Sequence, residues 1–130
     1  MRVLIADPNP QVRTALRLLI EHHAEMKVVC EALDVIQLLS QATDRNPDLV
    51  LLDTDLPGLQ LPHRNHCSPL GELVQALRKI CPGATIVVLS GQPIIEPACL
   101  GANADEYFYK GDPPEELLTF LNQIFNRSEQ

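Results

Sequence analysis

Short, mostly apolar runs alternate along this chain with stretches whose apolar residues recur every three to four positions. Residues 3–6 (VLIA), 27–31 (KVVCE), 48–52 (DLVLL), 84–89 (ATIVVL) and 106–109 (EYFY) are too short for helices and read as five strands. The intervening spacing is helical. Val12, Ala15, Leu16, Leu19 and Ile20 form one stripe, Val35, Leu38, Leu39 and Ala42 a second, and Leu73, Leu77 and Ile80 a third within 70–80. Leu117, Leu118, Leu121, Ile124 and Phe125 mark a strong last helix, whereas 94–102 is only weakly helical because Pro97 interrupts it.

The boundaries carry their own chemistry. Asn9 precedes a proline and is pushed out of helical geometry, which suits an N-cap with Pro10 at the first helical position. Asn46-Pro47 ends the second helix, Cys81-Pro82-Gly83 ends the third, and Asp112-Pro113-Pro114 introduces the last.

Strands that are apolar throughout belong in a parallel sheet covered on both faces. Five strand–helix units of this size fit an α/β fold, a doubly wound, five-stranded parallel sheet with helices on both faces. Ligands of such sheets gather at the carboxyl ends of the strands. There the first, third, fourth and fifth strands meet Asp7, Asp53, Ser90 and Lys110. Each residue also has an ordinary reading: a helix-capping acid, a turn serine, a solvated lysine. Two carboxylates attract a hard cation such as Mg²⁺, a hydroxyl and an ammonium can hold phosphoryl oxygens, and an aspartate can itself be a nucleophile.

Composition narrows the classes. The 130 residues suit one domain, with 1–126 as the domain and 127–130 as a polar tail or the start of a linker. The net charge of −7 lacks the basic footprint of a nucleic-acid-binding face. Cys30, Cys67, Cys81 and Cys99 form no CxxC pair and read as reduced thiols. No apolar run approaches a membrane span and the N-terminus is already a strand, so a cytoplasmic location and no membrane partner are expected.

The motifs VLIAD (Asp7), LVLLDTDLPG (Asp53), VVLSG (Ser90) and ADEYFYKGDPPEELL (Tyr107, Lys110), in this order at strand ends, resemble the receiver domains of bacterial two-component response regulators, the CheY-like superfamily. The resemblance covers nearly the whole chain and implies the flavodoxin-like strand order 2-1-3-4-5. Its two ends look most like receivers of NarL/FixJ-type regulators, which carry a helix-turn-helix output domain. It implies that Asp53 accepts a phosphoryl group from a sensor histidine kinase or phosphotransfer protein. It further implies that Ser90 and Lys110 contact that group, and that Tyr107 is an aromatic switch. Asp7, Asp53 and the backbone carbonyl of Asp55 would hold Mg²⁺. The implied partners are the kinase or phosphotransfer protein and an output domain or a second copy. The implied role is a receiver that assists its own phosphorylation and not a dedicated enzyme.

Three features depart from the family. Pro8 stands where a second acid usually binds the metal, which predicts a weakened Mg²⁺ site, with the Asp55 side chain as the candidate to compensate. The link from Pro57 to Leu70 is unusually long and carries His63, Arg64, His66 and Cys67. It reads as a neutral insertion, a lid or partner-contact loop, or an incomplete zinc site. The helix broken at Pro97 lies on the face by which the family passes on its signal. These departures leave a second reading open: a pseudo-receiver that acts as a phosphorylation-independent interaction module. A nucleotide-binding enzyme fits worse, because no glycine-rich phosphate loop follows the first strand.

Overall fold

The computed structural model describes residues 1–22, 26–59, 68–92 and 104–128. Along the chain run β1 (Arg2–Ala6), α1 (Pro10–Glu21), β2 (Lys27–Ala32), α2 (Val35–Arg45), β3 (Leu49–Asp53), α3 (Ser68–Ile80), β4 (Thr85–Ser90), β5 (Glu106–Tyr109) and α4 (Pro114–Ser128). The strands are parallel and ordered β2-β1-β3-β4-β5. This is the sheet expected from the sequence. The weakly helical stretch 94–102, the loop residues His63, Arg64, His66 and Cys67, and Cys99 lie outside the described residues.

Successive strand side chains point to opposite faces, and each face collects its own core. Leu4, Ala6, Val50, Leu52, Ile86 and Val88 pack with Leu38 and Ala42 of α2 and Leu73, Val74 and Leu77 of α3. Val3, Ile5, Leu49, Leu51, Val87 and Leu89 pack with Ile20 of α1 and Leu117, Leu121 and Ile124 of α4. Each fully buried Val, Leu or Ile side chain among these contributes about 1.5–3 kcal/mol relative to exposure. The inner strands β1 and β3 are therefore apolar on both faces. The edge strands are not: β2 alternates between buried and more exposed positions, and β5 is half-buried throughout.

Several boundaries differ by a residue or two from the sequence expectation. Ala32, Asp53 and Ser90 lie inside their strands, because Ala6 pairs with Ala32, Asp53 with Leu89 and Ser90 with Tyr109 in the ladder. Asp48 lies outside β3, and its side chain accepts from the Arg2 N–H at 2.8 Å. α3 begins at Ser68, one turn's start before the first apolar residue of its stripe.

The caps follow the expected chemistry. Asn9 is extended (φ −90°, ψ 116°), and its Oδ1 accepts from the N–H groups of Gln11 (2.8 Å) and Val12 (3.4 Å). Asp34 caps α2 by accepting from the Gln37 N–H at 2.8 Å, and Asn46 ends that helix in left-handed geometry (φ 47°). Just past β3, Pro57 O accepts from the Val35 N–H at 2.9 Å, and Gly58 (φ +102°) passes so close that a Cβ there would lie 2.9 Å from Val35 Cβ. The segment following β3 is thereby tied to the start of α2.

Candidate functional site

The strand register assembles the polar edge. Ala6 is the partner of Leu52, so Asp7 and Asp53, the next residues, lie side by side at the switch in strand order between β1 and β3. Asp53 pairs with Leu89 and Ser90 with Tyr109, which carries Ser90 and then Lys110 to the same edge.

Asp7 and Asp53 are buried, with 1% and 3% of their surface exposed. Lys110 Nζ reaches over both, 2.7 Å from Asp7 Oδ2 and 2.9 Å from Asp53 Oδ1. The two contacts differ in kind. The first is an aligned hydrogen bond. The second is an ion pair to the buried Asp53 Oδ1, which has no further hydrogen-bond partner among the described residues. Asp7 Oδ1 accepts from the Asn9 N–H at 2.8 Å, so both Asp7 oxygens are engaged.

The electrostatics follow from this packing. Burial pushes the Asp53 carboxyl above the usual aspartate range, and the charges of Asp7 and Asp55 push the same way against the opposing pull of Lys110. Burial alone would lower the Lys110 ammonium, but its bonds to Asp7 and Asp53 outweigh that and leave it raised. Two buried carboxylates face one ammonium, so the cluster holds excess negative charge. Burial also pushes the thiols of Cys30 and Cys81 up and keeps them neutral, and both are free, as expected of small core residues.

Ser90 and Tyr107 are placed less directly. The Ser90 hydroxyl donates to Gln92 O (2.7 Å) and accepts from the Gln92 N–H (3.1 Å), so it is turned into its own loop. Ser90 O accepts from the Lys110 N–H at 2.8 Å, which joins the ends of β4 and β5. Tyr107 is half-buried against the α2/α3 face, and its hydroxyl accepts from the Ala104 N–H at 3.2 Å. Asp55 is exposed, and its Oδ2 lies 3.8 Å from where a Cβ on Gly91 would sit, on the β4 side of the pocket. Among the described residues no three acidic, His or Cys side chains converge as a metal cluster. Pro8 is half-buried and adds no oxygen ligand.

A hard cation fits this donor set. The excess negative charge of two buried carboxylates facing one ammonium asks for one, and Mg²⁺ characteristically keeps several waters and takes only one or two carboxylates. Asp53 and Asp7 are the residues that would hold it.

Two residues that matter here were not singled out from the sequence. Arg13, only 14% exposed, donates from NH1 to Asp7 O at 2.7 Å and from Nε to Glu31 Oε1 at 3.0 Å, and Glu31 also pairs with Arg17. A signal was present: a cation in the first turns of a helix opposes the helix dipole, and a breach of a local rule often marks a site.

Comparison with known proteins agrees with this fold. Among curated proteins, the nitrate/nitrite response regulator NarL of Escherichia coli K12 is 33% identical over 93% of this chain and 53% of its own length. The transcriptional regulatory protein YhcZ of Bacillus subtilis, described as uncharacterized, is 32% identical over 91% of this chain and 52% of its own. The chain thus spans about half the length of the curated relatives it matches. Among solved structures, the REC domain of AraT, a response regulator from Geobacillus stearothermophilus, superposes with a TM-score of 0.78 at 25% identity, covering 99% of this chain and 95% of that one. A LuxR-family two-component response regulator from Aurantimonas sp. SI85-9A1 gives 0.75 at 26% identity, over 95% and 83% of the two chains. The response regulator receiver domain family matches residues 3–122, a span that contains the whole Asp7–Asp53–Lys110 cluster and the sheet except for the first residue of β1, and the chain belongs to that family.

Proposed function

We propose that this domain accepts a phosphoryl group on Asp53 from a histidine kinase or phosphotransfer protein. The observation that carries this reading is the pairing at Asp53: a buried carboxylate whose Oδ1 lies 2.9 Å from a fixed ammonium. An Asp53 carboxylate oxygen attacks phosphorus, the O–P bond forms, and the P–N bond to the donor imidazole breaks. The imidazole leaves as the base that the donor histidine began with. Lys110 then exchanges part of its contact with Asp53 for the incoming phosphoryl oxygens. The Ser90 hydroxyl leaves Gln92 O to donate to the same group, and Tyr107 responds to that shift. Asp7, Asp53 and the Asp55 carbonyl would hold Mg²⁺, which would supply charge neutralisation for the transfer, and Pro8 would weaken that site.

The domain is a signalling module that assists its own phosphorylation, located in the cytoplasm and working through an output domain or a second copy. No helix among the described residues is long and apolar enough to cross a membrane. The pseudo-receiver reading draws on Pro8 and on the Ser90 hydroxyl being occupied by Gln92. One experiment separates the two readings: incubation with Mg²⁺ and acetyl phosphate, followed by intact-mass measurement. A gain of one phosphoryl group that Asp53→Asn abolishes supports the receiver. No gain, even in Pro8→Asp, supports the interaction module.

A further inference from the structure

Asp7 is held at every polar atom it has. Its N–H donates to Ala32 O at 3.0 Å, its Oδ1 accepts from the Asn9 N–H at 2.8 Å, and its carbonyl accepts from Arg13 NH1 at 2.7 Å. Only Oδ2 points onward, to Lys110. The peptide between Asp7 and Pro8 has no N–H, so its carbonyl is its one polar group, and Arg13 is the donor that satisfies it. Fixing the N–H and the C=O of one residue fixes both of its backbone dihedrals and hence the direction of its Cβ.

Arg13 is itself fixed. It rises from α1 near the helix N-terminus, where a cation is electrostatically out of place. Glu31 of β2 compensates by taking Arg13 Nε at 3.0 Å, and the side chain is mostly buried. Arg17 also reaches Glu31 from the next turn of α1 but is more exposed, and its bond goes to Glu31 and not to Asp7.

We propose that Arg13, clamped by Glu31, is a positioning residue that aims the Asp7 carboxylate at Lys110 and so sets the alignment of Lys110 over Asp53. It touches no reacting atom. The relay runs Glu31, Arg13, Asp7 carbonyl, Asp7 carboxylate, Lys110. Its geometry stands independently of the phosphorylation reading, while its consequence for Asp53 rests on that reading.

The test uses the full chain and two readouts. The first is the NMR signal of the Lys110 ammonium, whose protons are protected from exchange while the ion pair holds. Wild type shows that signal. Arg13→Met loses it while its backbone spectrum stays folded, Arg13→Lys restores it at least in part, and Arg17→Met keeps it although it also loses an ion pair to Glu31. Retention of the signal in Arg13→Met, or equal loss in Arg17→Met, overturns the proposal. If Arg13→Met does not fold, Glu31→Gln serves instead, since it frees Arg13 without emptying its space. A weakened Lys110 signal then supports the relay, and an unchanged one overturns it. The second readout is Asp53 labelling by acetyl phosphate, expected to slow on the order of tenfold or more in Arg13→Met. If wild type takes no label the phosphoacceptor reading fails, and the ammonium signal still decides the role of Arg13.

Discussion

The Lys110 ammonium meets the Asp7 carboxylate at 2.7 Å across 103 residues of sequence. The lysine is anchored from its backbone as well, through its N–H to Ser90 O at 2.8 Å. The end of β5 is thus stitched to the ends of β4 and β1, and one side chain bridges to Asp53 on the strand between them. A cluster of two buried acids and one base is the source of both the stability and the strain at this edge.

Asp53→Asn is expected to stabilise the metal-free domain at neutral pH. The Asp53 carboxyl is raised by burial, so the folded state binds its proton more readily than the unfolded state. An acid shifted in that direction costs stability above its folded value, and the cost disappears as pH falls through that value toward the ordinary 3.8. Removing one of the two buried negative charges contributes about 1 kcal/mol. That amounts to a melting-temperature rise of roughly 3–5 °C in a domain of this size. Thermal melts across acidic and neutral pH check the sign: the gain is present at neutral pH and fades on acidification. A melting temperature at or below wild type at neutral pH contradicts it.

Lys110→Met is expected to do the opposite. It leaves Asp7 and Asp53 buried together without a counter-charge, and breaking such a pair costs about 3 kcal/mol or more, reduced here by the partial exposure of the lysine. Because Lys110 is raised in the fold, its contribution is fully present below the ordinary lysine value of 10.5 and is lost as pH rises through the raised one. Urea unfolding measures the deficit at neutral pH. The deficit shrinks on acidification as Asp53 takes its proton, and the double variant with Asp53→Asn recovers part of it.

The cluster was legible in the sequence because four apolar runs stop on or beside a polar residue, and parallel strands of similar length bring such ends to one edge. Asp7, Asp53 and Lys110 needed no further information. Ser90 was legible by position but not by contact, since its bonds to Gln92 depend on a local turn of the backbone. Arg13 and Glu31 were harder. They lie on different elements, and only the Ile5–Glu31 register together with the rise of α1 brings them to the Asp7 carbonyl. The one-residue extensions of β3 and β4 were hidden because a polar residue at a strand end can still pair its backbone, as Asp53 and Ser90 do.

Gly58→Ala is expected to destabilise the domain by roughly 1–3 kcal/mol. Its φ of +102° is strained for any L side chain, and the added Cβ would press on Val35 at 2.9 Å. Relief requires moving the start of α2 away from Pro57 O and breaking a 2.9 Å hydrogen bond. Native-state hydrogen exchange locates the damage: the Val35 amide loses protection first, ahead of the β1 and β3 amides. Val35→Ala in the same chain recovers less than half of the loss, because it relieves the contact and leaves the dihedral strain.

Pro8→Asp is expected to trade stability for metal affinity. Without metal, a second carboxylate beside Asp7 adds negative charge to a cluster that already has an excess, so the variant melts below wild type at low ionic strength. With Mg²⁺ the order changes. A further anionic oxygen at the carboxyl end of β1 lets the ion bind more tightly. Saturation at about a hundred times the dissociation constant adds close to 2.7 kcal/mol to stability. The discriminating quantity is the rise in melting temperature on adding Mg²⁺, which is larger in Pro8→Asp than in wild type. Asp53→Asn in the same background abolishes most of it, since that substitution removes one of the two buried carboxylates. Equal rises with and without the proline contradict the assignment of position 8 as the missing ligand. They would mean that Asp7 and Asp53 supply all the protein charge this cation uses.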